Sequence, residues 1–161
     1  MDTAPAQVHC AGGRRAGLAV FLLAVLALPA QAQNPAADEG AIRAALVRWT
    51  TAYNARRADA VCELFASDLR YEFRGLPERG YKELCDLLQR SLRDPERRFT
   101  YSHEIKEIIV SGNLAVVRLV WTSSLTTKDG KTVVTKEPGM DIFRREKDGR
   151  WRIARYMAYE E

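Results

Sequence analysis

From Tyr101 onward the chain is cut by three turns, Ser111-Gly112-Asn113, Lys128-Asp129-Gly130 and Lys147-Asp148-Gly149. Between and after them lie "YSHEIKEIIV", "LAVVRLVWTSSLTT", "TVVTKEPGMDIFRR" and "WRIARYMAY", all rich in β-branched and aromatic residues. Tight hairpins need residues that tolerate positive φ, and Gly, Asn and Asp supply them. The pattern predicts a four-stranded antiparallel meander. Such a sheet must bury at least one face against something else in the chain.

What precedes the meander reads as helical. Ile42, Leu46, Trp49 and Tyr53 recur at steps of four, three and four, while Arg43, Arg48 and Arg56 lie off that stripe. This predicts an amphipathic helix from Asp38 to about Arg57. A second, shorter helix is expected at "DAVCELFA" from Asp59, with Val61, Leu64 and Phe65 on one side. "SDLRYEFRG" then alternates Leu69, Tyr71 and Phe73 as a short strand. Gly75, Pro77 and Gly80 lead into a third helix, "YKELCDLLQRSL", which carries Leu84, Leu87, Leu88 and Leu92 before Pro95 ends it. The expected class is α+β, with three N-terminal helices packed on one face of a curved antiparallel sheet.

The first 32 residues are set apart. Arg14 and Arg15 precede the uncharged run "AGLAVFLLAVLAL", and Pro29 precedes "AQA" at Ala30–Ala32. That order reads as a secretory signal cleaved after Ala32, so that the mature chain begins at Gln33 and is periplasmic or secreted. The run falls short of the ~18 to 20 apolar residues that span a bilayer, and no membrane span is expected after cleavage. Residues 33–37 then form a short linker and residues 38–161 a single domain.

The full chain has a formal charge of +4, with basic residues scattered among acidic ones, which argues against nucleic-acid binding. His9 leaves with the signal, and His103 is then the sole histidine. No metal set, phosphate loop or cofactor motif is present, and none is expected. Cys62 and Cys85 remain after cleavage. In an oxidising compartment they either form a disulfide or stay as two buried thiols.

"TAYNARRADAVCELFASDL", Gly80 at the opening of the third helix and the terminal "RREKDGRWRIARY" resemble the nuclear transport factor 2-like superfamily, in its SnoaL-like and ketosteroid-isomerase-like branch. The resemblance covers the chain from about Asp38. It implies a cone-shaped domain that in different members binds small molecules or hosts isomerases, cyclases and dehydratases. In ketosteroid isomerase a base abstracts a proton while a tyrosine and a protonated aspartic acid stabilise the oxyanion. Alignment on Gly149 puts Asp141 at the position of that acid. Alignment on Asp68 puts Phe73 where the base should be, and the first helix offers Trp49 where the tyrosine should be.

Alternation along the strand independently puts Glu137, Asp141 and Phe143 on one face and Met140 and Ile142 on the other. Asp141 is therefore either a solvated acid at the mouth of the cone or a ligand-contacting acid inside it, with Tyr53 and Tyr156 as candidate donors. The expected lining of the cone is Trp49, Tyr53, Phe65, Tyr71, Phe73, Leu88, Val117, Trp121, Glu137 and Tyr156. Two functions follow: a pocket for a small apolar or amphipathic molecule, or proton-transfer chemistry of the isomerase or cyclase type with Asp141 as acid. In "LAVVRLVWT" both alternating sets are apolar, so the far face of the sheet is expected to be covered. The resemblance suggests that a second copy covers it.

Overall fold

The computed structural model describes Met1 and residues 34–159. The expected signal segment and its cleavage point lie outside the described residues. No helix among the described residues is long and apolar enough to cross a membrane.

Helix α1 spans Pro35–Asn54 and begins inside the segment read as a linker. Asn34 is the reason: its side-chain oxygen accepts from the Ala37 N–H at 3.2 Å, and Pro35 occupies the first turn, where its missing N–H costs nothing. The buried stripe carries Ile42, Leu46, Trp49 and Tyr53 as the spacing predicts, and adds Asp38. Asp38 is held by an ion pair with Arg145, whose guanidinium lies 4.8 Å above the Trp151 ring. That contact ties the start of the helix to the far end of the sheet.

The helix expected from Asp59 does not form. Residues 59–64 are consecutive turns, closed by bonds that span three residues: Glu63 N–H to the Ala60 carbonyl and Phe65 N–H to the Cys62 carbonyl. An α-helix would give the Val61 carbonyl to the Phe65 N–H. Here the Trp49 indole takes it, at 2.8 Å. Two turns of helix are too short to persist without tertiary support, and this tertiary contact favours the turns. The cysteines form a disulfide, Cys62–Cys85, with Cα atoms 5.6 Å apart, pinning the turn segment to the next helix.

The remaining elements are β1 (Phe65–Phe73), β2 (Arg79–Gly80), α2 (Tyr81–Arg93), β3 (Arg97–Ser111), β4 (Leu114–Thr127), β5 (Thr132–Arg145) and β6 (Trp151–Ala158). They form one six-stranded sheet in the order β2-β1-β6-β5-β4-β3. Strands β3 to β6 are the predicted meander. The sheet is mixed rather than antiparallel throughout, because β1 pairs parallel to β6 after the chain passes over α2 and back through the meander. The hairpin glycines have the positive φ their turns require, 62° at Gly112 and 79° at Gly149.

Both helices pack on the concave face, around Ile42, Leu46, Leu69, Val117, Phe143 and Ile153. Among the described residues no helix lies on the convex face. Its register brings Ile109, Val116 and Ile142 into one row and Arg118, Met140 and Met157 into the next, and Ile109 and Met157 are 54% and 63% exposed.

Candidate functional site

A cavity of about 280 Å³ lies between the concave face and the two helices. Its floor follows from strand register. Asp141 on β5 faces Tyr156 on β6, Tyr156 faces Tyr71 on β1, and Tyr71 faces Arg79 on β2. All four line the cavity. Residues paired across neighbouring strands share a face, so the sheet itself assembles this polar row.

Asp141 is 2% exposed, and its Oδ2 has no hydrogen-bond partner. Burial disfavours the charged form and pushes its pKa up to about 8, so near neutrality the group is mainly a neutral carboxylic acid. The rings of Tyr71 and Tyr156 stack with centroids 4.6 Å apart. The Tyr71 hydroxyl is buried and also lacks a partner. Burial, reinforced by Tyr71, Asp141 and Glu137 nearby, raises the Tyr156 hydroxyl far above the usual phenol range, so it stays protonated. The neutral carboxyl of Asp141 and the hydroxyl of Tyr71, both with unused hydrogen-bonding capacity, thus face a space walled mainly by aromatic and aliphatic groups. Leaving buried polar atoms unpaired is costly, and a ligand oxygen entering the row would relieve that cost.

Trp49, Phe65, Phe73, Leu88, Trp121 and Glu137 line the same cavity. Trp49 holds its place by the bond to Val61 and by rings on Tyr53 and Trp121, at 5.2 and 5.0 Å. Phe73, which the resemblance puts where an isomerase would carry its base, presents an apolar ring to the cavity. Two expected lining residues are elsewhere. Tyr53 is buried against α2, its hydroxyl sharing a 2.6 Å hydrogen bond with Ser91, and is thereby spent as a donor for Asp141. Val117, fully buried beside Asp141, is core rather than wall.

The sequence does not single out Leu76, Arg79, Leu84, Leu87, Tyr101, Ile153 and Ala158 for the lining, though they also line the cavity. Tyr101 had a signal in the alternation of β3. Arg79 had none, since a two-residue strand shows no period. His103 sits half-buried with its ring 5.4 Å from Trp121, and burial lowers its pKa, which keeps it neutral. Among the described residues no group of three or more His, Cys, Asp or Glu is placed to hold a metal ion.

The fold recurs in solved structures of other proteins. A conserved protein from Planctomyces limnophilus superposes with a TM-score of 0.69 at 24% identity, covering 78% of this chain and 98% of its own. A ketosteroid isomerase-like protein from Erwinia carotovora atroseptica gives a TM-score of 0.61 at 26% identity, over 75% of this chain and 94% of its own. A nuclear transport factor 2-like protein with a cystatin-like fold from Novosphingobium aromaticivorans gives 0.60 at 20% identity, over 78% and 83%. No curated protein matches the sequence. The model of the SnoaL-like domain matches residues 46–155, from the middle of α1 to the strand that carries Tyr156, and the chain belongs to that family, with the nuclear transport factor 2-like cone as its fold.

Proposed function

We propose that this domain is exported and binds a small apolar or amphipathic molecule in its cone, with a ligand oxygen held by the neutral carboxyl of Asp141. The observation that carries this reading is the partnerless Oδ2 of a 2% exposed carboxyl, set in a cavity walled mainly by aromatic and aliphatic groups. A neutral acid both donates and accepts, as does an amide of nearly the same shape. With 1-naphthaleneacetamide as probe, read by tryptophan emission from Trp49 and Trp121, Asp141→Asn is expected to bind within about threefold of wild type. Asp141→Ala is expected to weaken binding by roughly three- to tenfold, the worth of one hydrogen bond. Equal affinities for all three proteins would remove Asp141 from the site.

One observation favours a second reading, proton-transfer catalysis. Glu137 stands in the same cavity and is a carboxylate that could take the proton Phe73 cannot, with Asp141 as the acid. That reading requires solvent deuterium to appear beside the carbonyl of a bound ketone such as 2-tetralone, and to stop appearing in Glu137→Gln.

The apolar convex face supports a homodimer formed sheet to sheet. Val116 is half-buried between Ile109 and Ile142, and a carboxylate there would be stranded in a dry contact. Val116→Glu is expected to convert a dimer to a monomer in light scattering. Wild-type protein that stays monomeric when concentrated would rule the dimer out.

A further inference from the structure

We infer that the molecule bound in the cone carries an anionic group, a carboxylate or its equivalent, and that Arg79 at the cavity mouth receives it. This rests on the pocket reading above and adds the class of ligand. Arg79 is half-buried on β2, lines the cavity and, among the described residues, has no ion pair and no side-chain hydrogen bond. Other basic groups nearby are engaged or lie elsewhere. Arg70, on the opposite face of β1, pairs with Glu78 at 3.9 Å.

The acids close in sequence are turned away from Arg79 as well. Glu78 goes to Arg70, and the Glu83 carboxylate accepts from the Gly80 N–H at 3.2 Å, capping α2. The carboxylate that shares the cavity, Glu137, lies four residues along β5 from Asp141, ~13 Å at the rise of a strand, and is not ion-paired with Arg79. A guanidinium partly withdrawn from water without a counter-ion is an unfavourable arrangement that a bound anion would correct, and its planar fork suits a carboxylate.

Position sets the shape of the ligand. Arg79 ends the row that Asp141 begins, three strand spacings away, or ~14 Å between Cα atoms less the curl of the sheet. Stacked Tyr71 and Tyr156 rings lie between them. Leu76 and Leu87, 46% and 45% exposed while lining the cavity, mark its open rim, and Arg79 is half-buried, whereas Asp141 is sealed inside. The ligand that fits is a flat apolar body with a polar oxygen at its inner end and an acid at its outer end.

The test compares 6-hydroxy-2-naphthoate, a flat body with an oxygen at one end and an acid at the other, with its neutral isostere 6-hydroxy-2-naphthamide on the same protein. Wild type is expected to bind the acid about tenfold more tightly, the difference between a charge-assisted and a neutral hydrogen bond. Arg79→Gln is expected to erase that preference while keeping the amide affinity, which shows that the pocket is intact. Arg74→Gln, an exposed arginine outside this cavity, is expected to keep it. Equal binding of acid and amide by wild type would overturn the inference, as would a preference that survives in Arg79→Gln or is lost equally in Arg74→Gln. Amide binding without acid preference leaves the pocket reading standing and removes only this one. Binding of neither compound would overturn both.

Discussion

Asp141→Asn is expected to stabilise the protein at pH 7, and to do so less and less as the pH is lowered toward 4. In the folded chain the carboxyl has a pKa of about 8, raised by burial from 3.8. Between those values the folded state keeps a proton that the unfolded state has released, so wild-type stability falls as pH rises. The contribution of this proton is fully present below the unfolded pKa and is lost progressively up to the folded one. At pH 7 the linkage amounts to ~4 kcal/mol, against which the asparagine must bury an amide where one oxygen has no partner, at ~1 to 3 kcal/mol. A net gain of about 2 kcal/mol follows, or roughly 5 °C or more in Tm for a domain of this size. Thermal melts of both proteins from pH 4 to 9 measure it. The gap should widen up to about pH 8 and then level; parallel curves would show that Asp141 is not buried in the folded protein.

Loss of the Cys62–Cys85 bridge is expected to destabilise the protein by about 3 kcal/mol, as closing a loop of this length predicts. The sequence separation is 23, and the loop contains β1, β2 and the first turn of α2. The bridge also holds turns that have little regular structure of their own. Cys62→Ser with Cys85→Ser should therefore lower Tm by about 10 °C, and reductant should do the same to wild type but nothing to the variant. Intact mass after export from a bacterial host, with the leader present, reads two things at once. A chain beginning at Gln33 and lighter by two hydrogens is the expected species. A retained Met1 would refute processing, and two alkylatable thiols in the native protein would refute the bridge.

The meander was legible because its signals are local. Each hairpin needs a positive φ at one residue, and Gly112, Gly130 and Gly149 announce it. Alternation around Asp141 was legible for the same reason: Asp141 and Phe143 are buried while Met140 and Ile142 are exposed. Helix α1 showed its stripe, but its start was hidden because Asn34-Pro35 acts through a cap and not through periodicity. The second expected helix failed on a contact twelve residues away, the Trp49 indole on the Val61 carbonyl, which no window over Asp59–Ala66 contains.

What the sequence by itself determined was the meander, the two long helices and the period of each. Which side of the sheet the later residues of β6 occupy was decided by tertiary structure. Strict alternation from Trp151 and Ile153, both buried, would point Arg155 and Met157 into the cone and Tyr156 out of it. Instead Phe143 pairs with Ile153 while Ile142 pairs with Arg155, so Ala154 is bulged and the parity of β6 reverses. Tyr156 then enters the polar row, and Met157 goes to the convex face, 63% exposed. The same shift absorbs the irregular parallel pairing with β1, between Phe65 and Arg70, which in turn carries Tyr71 and Arg79 to their places. A one-residue slip moves every later side chain to the other face, and its position depends on how distant strands pair and curve. The composition of β6 is the same with or without the bulge, and only the pairing of the assembled sheet chooses between them.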